Sequence, residues 1–237
     1  IMGKAVATAG QMAAYVRARN PGVVQSVLDM IPLYLSEGEA EGVRGDIAFA
    51  QSCLETGNFG FSGSAVTLSQ NNFCGMGVTG RGVKGNFFET PLLGIRAQVQ
   101  HLKAYASREG LKNACVDPRF KYVVRGCAEY VEWLGQKENP AGKGWAAGAG
   151  YGEKILVILE GILGMAGGAV FRPYLVRVSI PDLNIRKGPG TDYGKTGKYT
   201  GAGIFTIIEE TDGKGASGWG RLKSGAGWIA LDFCERV

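Results

Sequence analysis

The chain has 237 residues, of which 45% are apolar, and a net charge of +5, so it can form one large domain or a medium and a small one. Its basic residues are dispersed, which argues against a nucleic-acid-binding stripe. A single histidine, His101, excludes zinc amidases and most zinc peptidases, because their metal needs two or three imidazole ligands. The 39 glycines predict many turns and close backbone approaches.

The N-terminal two thirds of the chain is predicted to be mostly helical. Apolar residues recur at helical spacing in six segments, which are residues 9–22, 23–42, 43–57, 92–108, 122–136 and 151–164. Pro32 marks a kink or break in the second segment, Asp46 is the predicted N-cap of the third, and Gly57 is its predicted stop. Residues 58–91 are irregular and rich in Gly and Asn, with a short hairpin predicted around 75–88.

A change in composition at residues 164–173 predicts a linker. Beyond it, short alternating strands are separated by Gly, Pro and Asp turns, as in "YLVRVSI", "LNIRK", "GIFTIIEE", "GWGRLK" and "GWIAL". We therefore predict a multi-domain chain, with a mostly α domain at residues 1–163 and a small all-β barrel at 174–237.

Glu55 stands near the end of a predicted helix in "FAQSCLETGNFGF". At helical spacing it lies opposite the apolar side, beside Ala48, Gln51 and Ser52, which is more typical of a cleft wall than of an open surface. The negative end of the helix dipole and this weakly charged neighbourhood would raise the pKa of Glu55, as a general acid requires. The alternative is an ordinary exposed glutamate at a frayed helix end.

Five short motifs follow one another in a characteristic order: "ETGNFGF", "QNNFCGMGVTG", "GIRAQVQHLKAYA", "VDPRF" and "GWAAGAGYGEKI". The ordered set, over residues 8–163, resembles the glucosaminidase domains of glycoside hydrolase family 73 found in cell-wall autolysins and phage endolysins. The resemblance implies a lysozyme-like fold with a long groove, and an endo-β-N-acetylglucosaminidase that cleaves the glycan strand of peptidoglycan.

The resemblance also implies roles for individual residues. Glu55 in "LETGNF" inherits the general-acid role of the family. The loop "QNNFCGMG" corresponds to the groove floor and implies five substrate-binding residues, which are Gln70, Asn71, Asn72, Phe73 and Gly75; a glycine turn needed only for folding is the alternative. Tyr151 matches the late aromatic residue that lines the groove, and Trp145 beside it is a candidate for stacking on a sugar, with core packing as its alternative.

The second carboxylate of the better-known relatives has no clear counterpart. Glu89 is the only acidic residue near the expected hairpin, and we predict it as a candidate second catalytic residue. Asp117 is predicted to be structural, in a turn or at an N-cap. A substrate-assisted route, in which the 2-acetamido group attacks the anomeric carbon, would need Glu55 alone.

Residues 174–237 resemble a bacterial SH3-like domain, since "LNIRKGPGTDYGKTGKY" and the closing "GWI" recur at the expected spacing. The resemblance implies binding to wall peptides or glycan, with Tyr193, Tyr199 and Trp219 as candidate contacts and Trp228 in the core. A folded spacer without affinity is the alternative.

The rival functions are a lytic transglycosylase or muramidase on the same fold, and a non-catalytic wall-binding protein. The five cysteines form no CxxC pair, and free thiols are favoured, with a bond between Cys53 and Cys74 left open. We expect peptidoglycan strands and stem peptides as partners, and no metal, cofactor, nucleic acid or membrane insertion. The first ten residues lack the pattern of a signal peptide, so we expect a secreted or wall-associated protein whose signal is removed, or a phage protein released at lysis.

Overall fold

The computed structural model describes residues 1–80, 82–166 and 173–237. The chain divides into two compact units, Ile1–Gly168 and Ala169–Val237. The first is helical and the second is built of β-strands, so the predicted fold class, a mostly α domain followed by a small all-β one, is confirmed. Most of the predicted linker at 164–173, namely residues 167–172, lies outside the described residues.

The described part of the first unit contains five α-helices, which are α1 (Ala9–Arg19), α2 (Gln25–Glu41), α3 (Gly45–Thr56), α4 (Pro91–Ala106) and α5 (Tyr151–Leu163). The central helix is α3, which packs against α2, α4 and α5. Almost every residue of α3 is buried, including its polar ones except Glu55. Within the described residues, no helix combines the length and apolar content that crossing a membrane requires.

Pro32 does not interrupt α2, which is a single helix through that position. Proline removes one N–H from the helical ladder and leaves the carbonyl four residues earlier without its helical partner. Pro32 lies on the exposed side of α2. Solvent on that side can hydrogen-bond the freed carbonyl, which explains why the helix continues.

The helix α3 begins two residues earlier than predicted, because its N-cap is Arg44 rather than Asp46. Asp46 instead accepts hydrogen bonds from the backbone N–H groups of Val6 and Ala7 and pairs with Arg44 at 2.8 Å. Burial alone would raise the pKa of Asp46, but Arg44 and the two N–H groups outweigh it and lower the pKa. The predicted stop at Gly57 is confirmed, since Gly57 caps α3 in the left-handed conformation with φ 58°.

A row of aromatic rings connects the centre of the unit to the loop after α3. Tyr34 packs edge-on against Phe49 with ring centroids 5.3 Å apart, and Phe59 follows at 5.6 Å from Phe49. Phe73 completes the row at 6.0 Å from Phe59. These contacts hold residues 71–77 against the C-terminal end of α3, where Glu55 lies.

Two predicted elements are wrong. Residues 122–136 contain only a single 3-10 turn, Glu132–Leu134, and no α-helix. The N–H groups of Gly126 and Ala128 instead donate to the last carbonyls of α4, and Gly126 has a positive φ of 69° that interrupts a helix. The described part of 75–88 forms turns and irregular backbone, without the predicted hairpin.

The described part of the second unit, residues 173–237, forms a seven-stranded sheet whose strands pair antiparallel in the order β3-β2-β6-β5-β4-β1-β7. The strands are β1 (Tyr174–Val178), β2 (Asn184–Arg186), β3 (Lys195–Tyr199), β4 (Gly203–Gly213), β5 (Ala216–Leu222), β6 (Trp228–Ala230) and β7 (Cys234–Arg236). Sequence patterning missed β3 and β7, because neither alternates apolar with polar residues. Val176, Ile185 and Ile207 lie in the core of the sheet.

Candidate active site

Glu55 lies in the last turn of α3 and is partly buried. Burial raises the pKa of its carboxyl group, and the hydrogen bond from Tyr151 reduces that increase. The predicted neighbours Gln51 and Ser52 do lie beside it along the helix. They are completely buried, however, and form part of a polar interior rather than the wall of a cleft.

Tyr151, the first residue of α5, donates a hydrogen bond from its hydroxyl to Glu55 Oε1 at 2.5 Å. The same hydroxyl accepts a hydrogen bond from Gln51 Nε2 at 2.9 Å. Burial, together with the neighbouring Glu55, raises the pKa of Tyr151 well above its usual range. The phenol therefore keeps its proton at neutral pH and acts as a fixed donor to the carboxyl group.

Asn72 and Phe73, two of the predicted groove residues, are buried. Asn72 organises the loop: its Nδ2 donates to the carbonyls of Met76 and Asn86, and its Oδ1 accepts from the N–H of Met76. Phe73 packs in the aromatic row of the core. Their burial supports a structural role, and direct contact with a sugar stays a prediction without support from this geometry.

Gly75 is the loop residue that comes nearest to the carboxyl group. A Cβ at this position would lie 3.7 Å from Glu55 Oε2, and the φ of 66° favours glycine. Gln70 and Asn71 support the loop from the other side, since their side-chain amides donate to the carbonyls of Lys84 and Phe88. Because Gly75 has no side chain, the space beside Glu55 Oε2 is not covered at this position. Gln70 and Asn71 hold the loop in place.

A cleft opens beside Gly75 and holds about 570 Å³, including the solvent at its mouth. Its walls are formed by Gly75, Met76, Gly77, Val78, Thr79, His101, Tyr105, Arg119, Tyr122, Val123 and Trp145. Trp145 is partly buried and meets His101 edge-on at 4.7 Å, so it packs on the protein and faces the cleft at once. Aromatic and hydrogen-bonding groups together are typical of a carbohydrate site.

The sequence did not indicate that His101 lines this cleft or that the buried Asp117 pairs with it from behind. His101 Nδ1 and Asp117 Oδ2 are 2.6 Å apart, and Asp117 Oδ1 accepts from the N–H of Arg119. Asp117 is thus in a turn, as predicted, and its other oxygen orients the imidazole. The only available signal was the turn-forming "DP" in "VDPRF", which does not identify its partner.

Glu89 is exposed and directly precedes Thr90, the N-cap of α4. A carboxylate near a helix N-terminus is electrostatically favourable, which accounts for this residue without catalysis. Its role as a second catalytic residue stays a prediction.

The cysteines Cys53, Cys74, Cys115, Cys127 and Cys234 are free, as the sequence led us to expect. Cys53 and Cys74 flank the site, and burial raises the pKa of both thiols, so neither is a reactive thiolate at neutral pH. In the described ranges, no three His, Cys, Asp or Glu side chains are grouped so that they could hold a metal ion.

In the second unit, the three candidate contacts differ in exposure. Tyr193 and Tyr199 are 47% and 57% exposed, whereas Trp219 is only 2% exposed. Trp228, expected in the core, is partly exposed. Trp219 therefore packs inside the sheet and is not available to a ligand in this structure.

Comparison with known proteins covers mainly the helical unit. Residues 31–163 match the family model described as "Glucosaminidase: Mannosyl-glycoprotein endo-beta-N-acetylglucosaminidase". An uncharacterized protein of Borreliella burgdorferi is 43% identical over 130 residues, which are 55% of this chain and 60% of that protein. The chain thus spans less than two thirds of the length of this relative. No solved structure matches the chain significantly.

Proposed function

Since the chain belongs to the glucosaminidase family and so to the glycoside hydrolases, we propose that it is an endo-β-N-acetylglucosaminidase that cleaves the glycan strand of peptidoglycan. The observation that carries the proposal is the environment of Glu55. The pKa of its carboxyl group is raised. One carboxyl oxygen accepts a hydrogen bond from the hydroxyl of Tyr151, and the other oxygen lies beside the backbone of Gly75, which has no side chain to cover it.

In the proposed mechanism, Glu55 donates its proton to the glycosidic oxygen while the anomeric carbon gains oxocarbenium character. Burial favours the protonated carboxyl group, which keeps the acid available at a higher pH than that of an exposed glutamate. A glycan strand in the cleft would stack a sugar face on Trp145 and meet the polar groups of His101 and Arg119. Water activation is assigned either to Glu89 or to the 2-acetamido group of the substrate.

The products of digestion test this proposal. We expect the full chain to release soluble fragments with reducing N-acetylglucosamine ends from purified peptidoglycan, as identified by mass spectrometry. Fragments with 1,6-anhydro ends would instead indicate a lytic transglycosylase, and reducing muramic acid ends a muramidase. If the chain binds the polymer and releases nothing, it is a non-catalytic wall-binding protein.

We further propose that residues 174–237 form an SH3-like module that binds wall peptides or glycan and raises the local concentration of the enzyme there. The exposed rings of Tyr193 and Tyr199 support this role. Replacing both by Ala should weaken co-sedimentation with purified cell walls about tenfold, since exposed aromatic residues often dominate such contacts.

Phe233→Ala is the control for that pair, because Phe233 is an aromatic residue of the same unit with 55% of its surface exposed. It should leave co-sedimentation unchanged. Equal binding by the double Tyr variant and the wild type would mean that the module is a spacer or binds through other residues.

A further inference from the structure

A chain of hydrogen bonds between buried side chains ends on Glu55. It begins on α2, where the hydroxyl of Tyr34 donates to Ser52 Oγ at 2.9 Å, and Ser52 Oγ donates to Gln98 Oε1 at 3.0 Å. It continues from Gln98 Nε2 to Gln51 Oε1 at 2.8 Å. Through Gln51 it reaches Tyr151 and Glu55, as described above. Every donor in this chain points toward Glu55.

One backbone oxygen fixes that direction. Gln98 Nε2 also donates to the carbonyl oxygen of Ala48 at 2.9 Å. A carbonyl oxygen can only accept, so the nitrogen end of the Gln98 amide has to face it. The second hydrogen of that nitrogen then goes to Gln51 Oε1, and the orientation of Gln51 is fixed in turn.

The orientation of the Gln51 amide determines which oxygen of Glu55 carries the proton. With its oxygen occupied by Gln98, Gln51 must present its nitrogen to Tyr151. The phenol has a single hydrogen and already accepts one, so it donates that hydrogen to Glu55 Oε1. Oε1 therefore acts as an acceptor, and the proton of the neutral carboxyl group is left to Oε2.

Oε2 is the oxygen that lies beside Gly75, and Gly75 lines the cleft. We propose that Gln98 is a positioning residue which, through Gln51 and Tyr151, keeps the acidic proton of Glu55 on Oε2, where a glycosidic oxygen can receive it. The use of that proton rests on the proposed function, whereas its position on Oε2 does not.

Other titratable groups near Glu55 do not compete for the proton. Tyr151 faces it from α5, and Cys74 faces it from the loop after α3. Burial raises the pKa of both groups well above the usual range, so both are neutral at physiological pH.

The test is Gln98→Met, which keeps the volume and removes the oxygen and the nitrogen of the side-chain amide. Gln51 can then turn its amide oxygen to Tyr151, and the hydroxyl of Tyr151 can donate to that oxygen instead of to Glu55 Oε1. The carboxyl group of Glu55 can then carry its own proton on Oε1. In infrared difference spectra, with Glu55→Gln to assign the band, the carbonyl stretch of protonated Glu55 should move to higher frequency, because it loses a hydrogen bond. On peptidoglycan, kcat should fall about tenfold or more with KM unchanged.

Tyr34→Phe is the matched control. Tyr34 is as deeply buried as Gln98. It belongs to the same series of hydrogen bonds, but the carbonyl oxygen of Ala48 orients the Gln98 amide, so that orientation does not depend on Tyr34. The variant loses one buried hydrogen bond and should leave the carbonyl band and the pH profile of kcat unchanged.

Two results would overturn the proposal: an unshifted band in Gln98→Met, or an equal shift in Tyr34→Phe. If Gln98→Met does not fold, Gln98→Leu removes the same amide, leaves Gln51 free to turn its oxygen to Tyr151, and should give the same shift. The spectra need no substrate, so the band still decides the position of the proton if the chain proves inactive on peptidoglycan and the proposed function fails.

Discussion

Replacing Glu55 by Gln should reduce the release of glycan fragments from peptidoglycan by about a hundredfold to ten-thousandfold, which is the usual contribution of a positioned general acid. The change keeps the size of the side chain and its acceptor for the Tyr151 hydroxyl, and removes only the transferable proton. In the wild type, activity should fall as the pH rises through the raised pKa of Glu55, because the proton is then lost.

The same variant should be at least as stable as the wild type at neutral pH. The pKa of Glu55 is raised in the folded state, so the folded chain holds this proton more tightly than the unfolded chain. The stability of the wild type therefore decreases as the pH rises from the unfolded pKa, about 4.3, through the folded one. Gln has no proton to lose, so the thermal midpoint of the variant should exceed that of the wild type most clearly at neutral pH.

The exposed Glu129 provides the control, and Glu129→Gln should retain full activity. Wild-type activity in Glu55→Gln would mean that the acid is another residue. A variant that is inactive because it unfolds would instead give Glu55 a structural role. Glu89→Gln is the companion experiment: retained activity favours the substrate-assisted route, and loss of activity favours water activation by Glu89.

Replacing Lys103 by Met should cost about 3–5 kcal/mol of unfolding free energy, as expected when one partner of a buried ion pair is removed. Lys103 Nζ lies 3.0 Å from Glu41 Oε2, and neither side chain is exposed. Glu41 also accepts hydrogen bonds from the N–H groups of Lys112 and Asn113. The carboxylate thus joins α2, α4 and the loop after α4, and the variant leaves its charge buried without a cation.

Urea unfolding followed by the helical circular-dichroism signal measures this loss. Adding Glu41→Gln to the variant should recover part of the stability, because the unpaired charge is removed, whereas the exposed Lys137→Met should change stability by less than about 0.5 kcal/mol. A loss of that small size in Lys103→Met would show that the buried pair contributes little.

The pair also predicts how acid affects stability. Burial alone would raise the pKa of Glu41, but the N–H groups of Lys112 and Asn113, together with Lys103, outweigh it and lower the pKa. The contribution of Glu41 is therefore fully present above the unfolded pKa and is lost only as the pH falls through the lowered one. In Lys103→Met this acid-dependent loss should begin at a higher pH.

Local rules explain which features could be predicted. Gly57 ends α3 because a left-handed residue is needed there, and Glu55 two residues earlier is placed by that stop. The order of the five motifs predicted the family, whose model matches residues 31–163. Helical spacing of apolar residues in the first part and their alternation in the second predicted a helical part followed by a β part. Each pattern arises because one face of a helix or strand is buried.

Non-local contacts explain the errors. Residues 122–136 have helical spacing, yet the free carbonyls at the end of α4 take up the N–H groups of Gly126 and Ala128. Asn72 and Phe73 were expected on a groove floor, but the glycine-rich loop folds inward, and its amide and ring become part of the interior. Periodicity within one segment cannot show which partner from another segment will satisfy its groups.

The sequence by itself determined the division into a helical and a β part, the family of the helical part, and the position of Glu55 at a helix end, since all three depend on residue types at short spacing. Only the tertiary structure decided the environment of that carboxyl group. Tyr151 of α5 contacts it directly, and Gln51 of α3 and Gln98 of α4 act on it through Tyr151. Their order and direction follow from the packing of α3, α4 and α5, because hydrogen bonds between distant segments exist only once the helices are brought together.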